Sequence, residues 1–431
     1  MPARRWVAVT ATADFPVALA PVKEALAGVA PVRTVPLPFR PLGRAEEATF
    51  AKKLQGAEGI LLRPGYVTPS LLDQLPALKA VAVHGAGVDQ VDVTIFQRSE
   101  NAMREAIKKV PDGEYRFQVS TDGYDEPLVI RVEVRVRGSS ILVDYTGSSP
   151  QVDRGLNATL NYVYAYSAYS LKCLFCPAVP NNEGNYRPVT VSAPEGSILN
   201  PRYPAPVNGR SMVGHFIPSA IFGALCKAVP ELVQAASGSP TWAINAAGIA
   251  KDNRRFAGNF FLNGGQGASN EHDGRACLCF PSNTSATPIE VLEHMVPLLV
   301  ERKAVIRDSG GAGEFCGGDG QQVIVKSLSD SPILLTFLSE RTRHPAYGLF
   351  GGRNGRVGKV TLNGRPINPK RQWVMHPGDR LVLEVPSGGG YGDPKKRRRD
   401  LIERDLREGL LSLQKARTEY NYDGDFSVSS L

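Results

Sequence analysis

The strongest constraint on the fold sits at residues 128–137, LVIRVEVRVR, where apolar and charged residues alternate without a break from Ile130 onward. Ile130, Val132, Val134 and Val136 fall on one side of an extended chain, and Arg131, Glu133, Arg135 and Arg137 on the other. A strand with one face on a core and the other in water or on a partner satisfies both sets. Gly138-Ser139 then turns the chain into a second strand, Ile141–Tyr145, which predicts an antiparallel hairpin.

The pattern upstream is of another kind. Trp6–Thr10, Val32–Val35, Gly59–Leu62 and Ala80–Val83 are apolar or nearly so throughout, as buried parallel strands require. Pro16–Ala27, Ala45–Leu54 and Pro69–Leu75 supply crossover helices between them. The expected class is α/β plus α+β. A small open parallel sheet of flavodoxin-like type occupies 1–95. A larger β-rich mixed domain with antiparallel hairpins covers 98–394, and a helical tail covers 395–431. Character changes near Thr94–Gln97. Asn101–Val110 then places Met103, Ile107 and Val110 on one helical face, before Pro111-Asp112-Gly113 turns into a strand over Glu114–Ser120. Asn157 is read as the cap of an apolar, tyrosine-rich helix reaching Leu174. Near the end, Asn363-Gly364 marks a hairpin and Pro377-Gly378-Asp379 turns into the strand Leu381–Val385. A helix through Ile402 and Leu406 stops at Gly409, and Ser412 caps another.

Composition narrows the function classes. With 42% hydrophobic and 21% charged residues the chain folds, and its 43 glycines and 33 prolines imply many fixed turns. No apolar run is long enough to cross a bilayer, and Asp14 breaks the apolar stretch behind Arg4-Arg5 that a signal peptide would need. Six cysteines without regular spacing argue against a disulfide framework, so a cytoplasmic location is expected. The net charge of +8 owes much to the run Lys395–Arg399, which lacks interleaved aromatics and reads as a solvated surface. Neither nucleic acid nor membrane is an expected partner.

Two resemblances follow from the residues. The stretch GILLRPGYVTPSLLDQLPALKAVAVHGAGVDQVDV resembles the first part of the substrate domain of D-isomer-specific 2-hydroxyacid dehydrogenases, whose loop like His84–Asp89 holds a substrate carboxylate on backbone N–H groups. The G-x-G-x-x-G turn for a dinucleotide does not follow it, which argues against hydride transfer; Gly311–Cys316 comes nearest but has cysteine at the third glycine. From AMREAIKKVPDGEYRF onward the chain resembles the hydantoinase B/oxoprolinase family. It does so in the phrases VDYTGSSPQVDRGLNAT, PNNEGNYRPVTVSAPEGSILNPRYPAPVNGRS, GGQGASNEHDGRACLCFPSNTSATPIEVLE, RDSGGAGEFCGGDGQ and PSGGGYGDP, in family order. This resemblance implies a subunit that opens cyclic amides beside a hydantoinase A-like subunit. ATP and a divalent metal belong to the complete complex, and this chain is expected to bind neither by itself. A homo-oligomer stays open.

Candidate site residues come from three stretches. Asp308-Ser309-Gly310-Gly311-Ala312-Gly313 can turn successive N–H groups toward one anion, or can be a tight crossing before the strand Gln321–Val325. Gly265 leads into Glu271-His272-Asp273, where His272 and Asp273 can move protons. Asn182, Glu183 and Arg187 lie on a polar loop whose guanidinium can hold a carboxylate or phosphate, or can simply pin the loop. The expected catalytic set is His272, Asp273 and Asp308. The expected substrate- or phosphate-binding set is Asn182, Glu183, Arg187, Gly265, Gly310, Gly311 and Gly313, with no metal ligands. Glu290 and His294, four apart on a helix, read as a surface pair, and Cys173 and Cys176 as buried structural thiols.

The family's N-terminal phrases, a DPY-type run and a His-rich run, have no counterpart before Arg98. Three readings stand: a ring-opening subunit, a scaffold keeping only the surface for its A-type partner, and a 2-hydroxyacid-binding or oxidoreductase protein. A gene fusion and an assembly error both account for the junction.

Overall fold

Alternation and apolar runs sort the chain into two compact units, residues 1–102 with 179–187, and 103–178 with 188–431. The computed structural model describes residues 6–10, 19–28, 30–36, 42–62, 67–83, 93–278 and 280–426.

The first unit runs β1 (Trp6–Thr10), α1 (Leu19–Ala25), β2 (Val32–Val35), α2 (Arg44–Leu54), β3 (Ala57–Leu62), α3 (Pro69–Asp73), β4 (Ala80–Val83) and the first part of α4 (Val93–Ile107). Its strands pair in the order β2-β1-β3-β4, all parallel. That is the order of a flavodoxin-like sheet. Trp6, Ala8, Leu54, Ile60, Leu62 and Leu71 form its core. Thr68 starts α3 by accepting the Leu71 N–H at 3.2 Å and donates its hydroxyl to the buried Glu47 carboxylate. The loop His84–Asp89 lies outside the described residues.

In the second unit, β5 (Gly113–Thr121), β6 (Leu128–Arg137) and β7 (Ser140–Asp144) pair antiparallel, and β8 (Val189–Ser192) adds to β7 in parallel. Ile130, Val132, Val134 and Val136 are buried, whereas Glu133 on the other face bridges Arg116 and Arg135. Between β7 and β8 lies α5 (Leu160–Phe175), and after β8 come the one-turn α6 (Ser211–Gly214) and α7 (Ile217–Leu225). Fully buried α7 packs on β5, β6 and α5. The cap of α5 is Thr159, not Asn157. Asn157 instead knots the preceding loop: its buried amide accepts the Val152 N–H and donates to the carbonyls of Val152, Arg154 and Pro206. The helix expected over 101–110 begins earlier, at Val93.

The rest comprises β9 (Trp242–Ile249), β10 (Arg255–Leu262), α8 (Ile289–Met295), β11 (Leu298–Val305), β12 (Gln321–Ser327), β13 (Ile333–Leu338), β14 (Lys359–Leu362), β15 (Arg365–Pro366), β16 (Trp373–Met375), β17 (Arg380–Glu384), α9 (Arg399–Arg407) and α10 (Leu413–Tyr420). Two sheets, β10-β9-β13-β16 and β11-β12-β17-β14-β15, share one core containing Trp242, Ile244, Phe260, Val325, Leu335 and Leu383. The two C-terminal helices pack through Ile402, Leu406 and Ala416 around Ala312. Architecture and class are those expected: a parallel α/β sheet first, then mixed and antiparallel sheets, then helices. Among the described residues no helix is long and apolar enough to cross a membrane.

Candidate functional site

Glycines decide the geometry of the second unit's most unusual region. Segments around 265, 311–318, 348–353 and 388–390 pass at backbone contact, and a Cβ on Gly265, Gly317 or Gly388 would overlap a neighbouring carbonyl. Main chain therefore bonds to main chain: Gly265 N–H to Pro386 O (3.1 Å), Gly311 N–H to Gly388 O (3.0 Å) and Gly388 N–H to Gly318 O (2.9 Å). Gly313 lies equally close to Phe315 and Tyr391 backbone. The Gly310 N–H donates at 2.7 Å to the carboxylate of Asp319, which also receives the Ser309 hydroxyl at 2.9 Å. The anion at Gly310 is thus the chain's own. Burial raises the Asp319 carboxyl, and these two donors pull against that.

Asp308 stands at the edge of this crossing with φ +63°. Its carboxylate accepts the Ser412 N–H at 2.7 Å, and Lys415 donates to the carbonyls of Asp308 (2.8 Å) and Gly310 (3.0 Å). Asp273 faces the same place from another direction. It accepts both Arg397 nitrogens (2.7 and 2.9 Å), Arg404 (2.9 Å) and the Cys316 N–H (2.7 Å). Burial alone would raise its carboxyl, but the bonds from Arg397, Cys316 and Arg404 outweigh burial and hold it below its ordinary value. Arg397 is wholly buried and also pairs with Asp405 at 2.6 Å. The run Lys395–Arg399, expected to be solvated, therefore hides one arginine that the acidic residues around it require.

These groups surround a cavity of about 120 Å³, lined by Asp273, Asp308, Gly310, Cys316, Asp319 and Lys415 among others. The structure thus brings Asp273, Asp308 and Gly310 together. The Cys316 thiol lies 2.7 Å from the Tyr420 hydroxyl, and burial pushes it up to about 11, so it is neutral near pH 7. His272 points elsewhere: its side chain is 82% exposed and lines a cleft of about 860 Å³ that shares Asp273 and Arg404 with the cavity.

Asn182, Glu183 and Arg187 belong to the first unit. Asn182 caps a single 3-10 turn, Glu183–Asn185, accepting the Gly184 N–H at 2.9 Å and donating to Ser99 at 2.8 Å. Arg187 pairs with Glu183 (3.2 Å) and Glu100 (3.4 Å) and lies over the Phe96 ring. Their partners are local. Glu290 and His294 are exposed on α8. Burial raises the thiols of Cys173 and Cys176.

A second buried charge cluster carried no sequence signal. Asp122 accepts the N–H groups of Thr342 (2.6 Å), Arg343 (3.0 Å) and His344 (3.1 Å), and Glu340 pairs with Lys370 at 2.6 Å. Burial pushes Glu340 up to about 7 against the pull of Lys370. Asp122 and its partners are more than 200 residues apart, so spacing does not reveal them.

A divalent cation has no open carboxylate at Asp273 or Asp405, which Arg397 and Arg404 already pair. Among the described residues no group of three or more His, Cys, Asp or Glu is placed to hold a metal. A nucleotide phosphate does not fit at Gly310 and Gly311, whose N–H groups are taken up internally.

Comparison with known proteins agrees with this fold. The sequence profile of D-isomer specific 2-hydroxyacid dehydrogenase, catalytic domain, matches residues 23–102. The B-type polypeptide of a putative D-/L-hydantoinase from Pseudomonas sp. (strain NS671) is 31% identical over 359 residues, 78% of this chain and 60% of that protein. The beta polypeptide of caprolactamase from Pseudomonas jessenii is 32% identical over 361 residues, 78% of this chain and 61% of that one. The crystal structure of ATP-dependent caprolactamase from Pseudomonas jessenii superposes with a TM-score of 0.68 at 28% identity, over 78% of this chain and 61% of that chain. The chain spans about three fifths of the length of these relatives. The profile of hydantoinase B/oxoprolinase matches residues 81–394, well over half of the sequence, and the chain belongs to that family.

Proposed function

We propose that this chain is a B-type subunit, or part of one, of an ATP-dependent cyclic-amide hydrolase that works in the cytoplasm with an A-type, ATP-using subunit. The supporting observation is the likeness, over 78% of the chain, to a caprolactamase structure at 28% identity. Opening a cyclic amide takes a positioned water, a group to accept its proton, and donors for the developing oxyanion. In this reading His272, exposed on the cleft, takes the proton. Asp273 and Asp308 position the wall between cleft and cavity. The test is to co-express the chain with its cognate A-type subunit, verify the complex, and assay ATP-dependent opening of 5-oxoproline, hydantoin and caprolactam. Turnover is expected, reduced about 10²–10⁴-fold by His272→Ala. A verified complex that turns over none of them removes the proposal.

One observation favours a second reading, a scaffold that keeps only the surface for the A-type subunit. Asp273 is held by two arginines, and the Gly310 and Gly311 N–H groups are bonded within the chain, so neither is free to meet a substrate. Complex formation without turnover would favour it.

A further inference from the structure

The loop that opens the glycine crossing turns two carbonyls toward one cation. Lys415 Nζ, on the first turn of α10, donates to the carbonyls of Asp308 at 2.8 Å and Gly310 at 3.0 Å. In an extended chain the carbonyls of residues i and i+2 stand roughly 6.8 Å apart, too far to share one nitrogen. The turn through Asp308 and Ser309 brings them together. The carboxylates of Asp308 and Asp319 line the same cavity as Lys415. Burial raises the Asp319 carboxyl, and the bonds from Gly310 and Ser309, then the Lys415 charge, work against it.

The frame around this nitrogen is held by other bonds. The Ser412 N–H donates to Asp308 Oδ1 at 2.7 Å, the Asp308 N–H to Leu410 O at 2.9 Å, and the Arg307 guanidinium to Leu411 O at 3.0 Å. The Gly310 N–H is fixed on Asp319 at 2.7 Å. None of these contacts uses the Lys415 side chain. Without its ammonium, two oriented carbonyls would face the cavity with no partner for their charge. Main-chain carbonyls held at a set spacing are the ligands that select a monovalent ion, and they need no set of side-chain ligands. The reach of 2.8 and 3.0 Å suits an ion as large as ammonium, whereas magnesium and calcium demand about 2.0–2.6 Å.

We propose that the carbonyls of Asp308 and Gly310, with the Asp319 carboxylate beside them, form a site for a monovalent cation of ammonium or potassium size, and that this chain fills it with the Lys415 ammonium. Lys415 is then a tethered counter-ion, delivered by α10, which closes the edge of the crossing without drawing an ion from solution. The site needs only the folded second unit and does not depend on ring opening.

Thermal melting of the full chain is followed in potassium, ammonium, lithium and choline chloride at equal ionic strength. Wild type is expected to melt alike in potassium and choline. Lys415→Ala should melt at least about 5 °C lower in choline. At least half of that loss should return in potassium or ammonium, with a saturating dependence, and none in lithium. Whichever ion restores more is the one the carbonyls prefer. Adding Asp319→Asn should raise the concentration needed for recovery at least tenfold. Gly28→Ala changes no charge and should respond alike to all four salts. Lys415→Met keeps an aliphatic stem and is measured in the same way, so lost packing in the alanine variant does not decide the matter. The proposal fails if neither Lys415 variant recovers in potassium or ammonium, whether or not it folds, or if lithium or choline restores it as well. It also fails if Asp319→Asn leaves the recovery unchanged, or if wild type gains as much from potassium as the variants do.

Discussion

Glycine serves opposite ends in the two units. In the first, Gly28 follows α1 at φ +77°, and nothing lies within 4 Å of where its Cβ would stand. In the second, a Cβ on Gly265 would collide with the Gly318 carbonyl and lie 2.9 Å from the Gly388 nitrogen. One position demands a backbone angle and the other demands empty space. The first sheet is held by side chains such as Leu54, Ile60 and Leu71, which can shift a little when their surroundings change. The crossing is held by main chain against main chain, and no side chain there can give way.

The largest effect should come from pressing on that contrast directly. Gly265→Ala is expected to prevent the second unit from folding, because the added methyl meets backbone on more than one side. Soluble yield and circular dichroism measure this. A variant that melts within a few degrees of wild type would erase the distinction.

Charge sharpens the same comparison, since the crossing is flanked by acids that need Arg397. Replacing Arg397 with Met leaves Asp273 and Asp405 buried without that partner, and should cost about 3–5 kcal/mol in urea unfolding. The pH dependence has a definite sign. The Asp273 carboxyl is held below its ordinary value, so its contribution is present above that value and is lost as pH falls through the folded one. The gap between variant and wild type should therefore narrow below about pH 4. Arg399→Ala, two residues on and exposed, should leave the urea midpoint almost where it is in the wild type.

His215 predicts a smaller change, spread over pH. Burial pushes its imidazole down to about 4, and its Nδ1 has no partner among the described residues. The folded chain thus holds it neutral while the unfolded chain takes up a proton near pH 6.5. Stability should be full above that value and fall by about 3 kcal/mol as pH drops toward 4. His215→Phe should flatten that segment of the profile, and an unchanged slope would refute the assignment.

What could be read beforehand follows the same division. The strands of the first unit and β6 declare themselves through local pattern, apolar runs in one and alternation in the other, because each depends on near neighbours in sequence. The crossing was visible only as glycine-rich phrases. Which glycine meets which carbonyl depends on segments brought together by the fold, so a nest for a foreign anion and a close crossing looked alike. Arg397 and Asp273 are 124 residues apart, and a buried arginine inside a basic run is indistinguishable from its solvated neighbours until the chain folds. Asn157 misled for a related reason: the amide that caps a helix also ties a loop, and three carbonyls claimed it here.

The smallest effect returns to Gly28. An alanine there has room for its methyl but must hold a left-handed backbone, which costs about 1–2 kcal/mol. Asparagine tolerates that conformation better, so the order of stability should be glycine, then asparagine, then alanine. The loss should appear as faster amide exchange around α1 and β2, with the second unit's strands unaffected, because local opening draws on local contacts. If Gly28→Ala instead impaired folding as severely as Gly265→Ala, a forbidden angle and a forbidden volume would be equivalent in this chain, and the contrast between its two units would have no physical content.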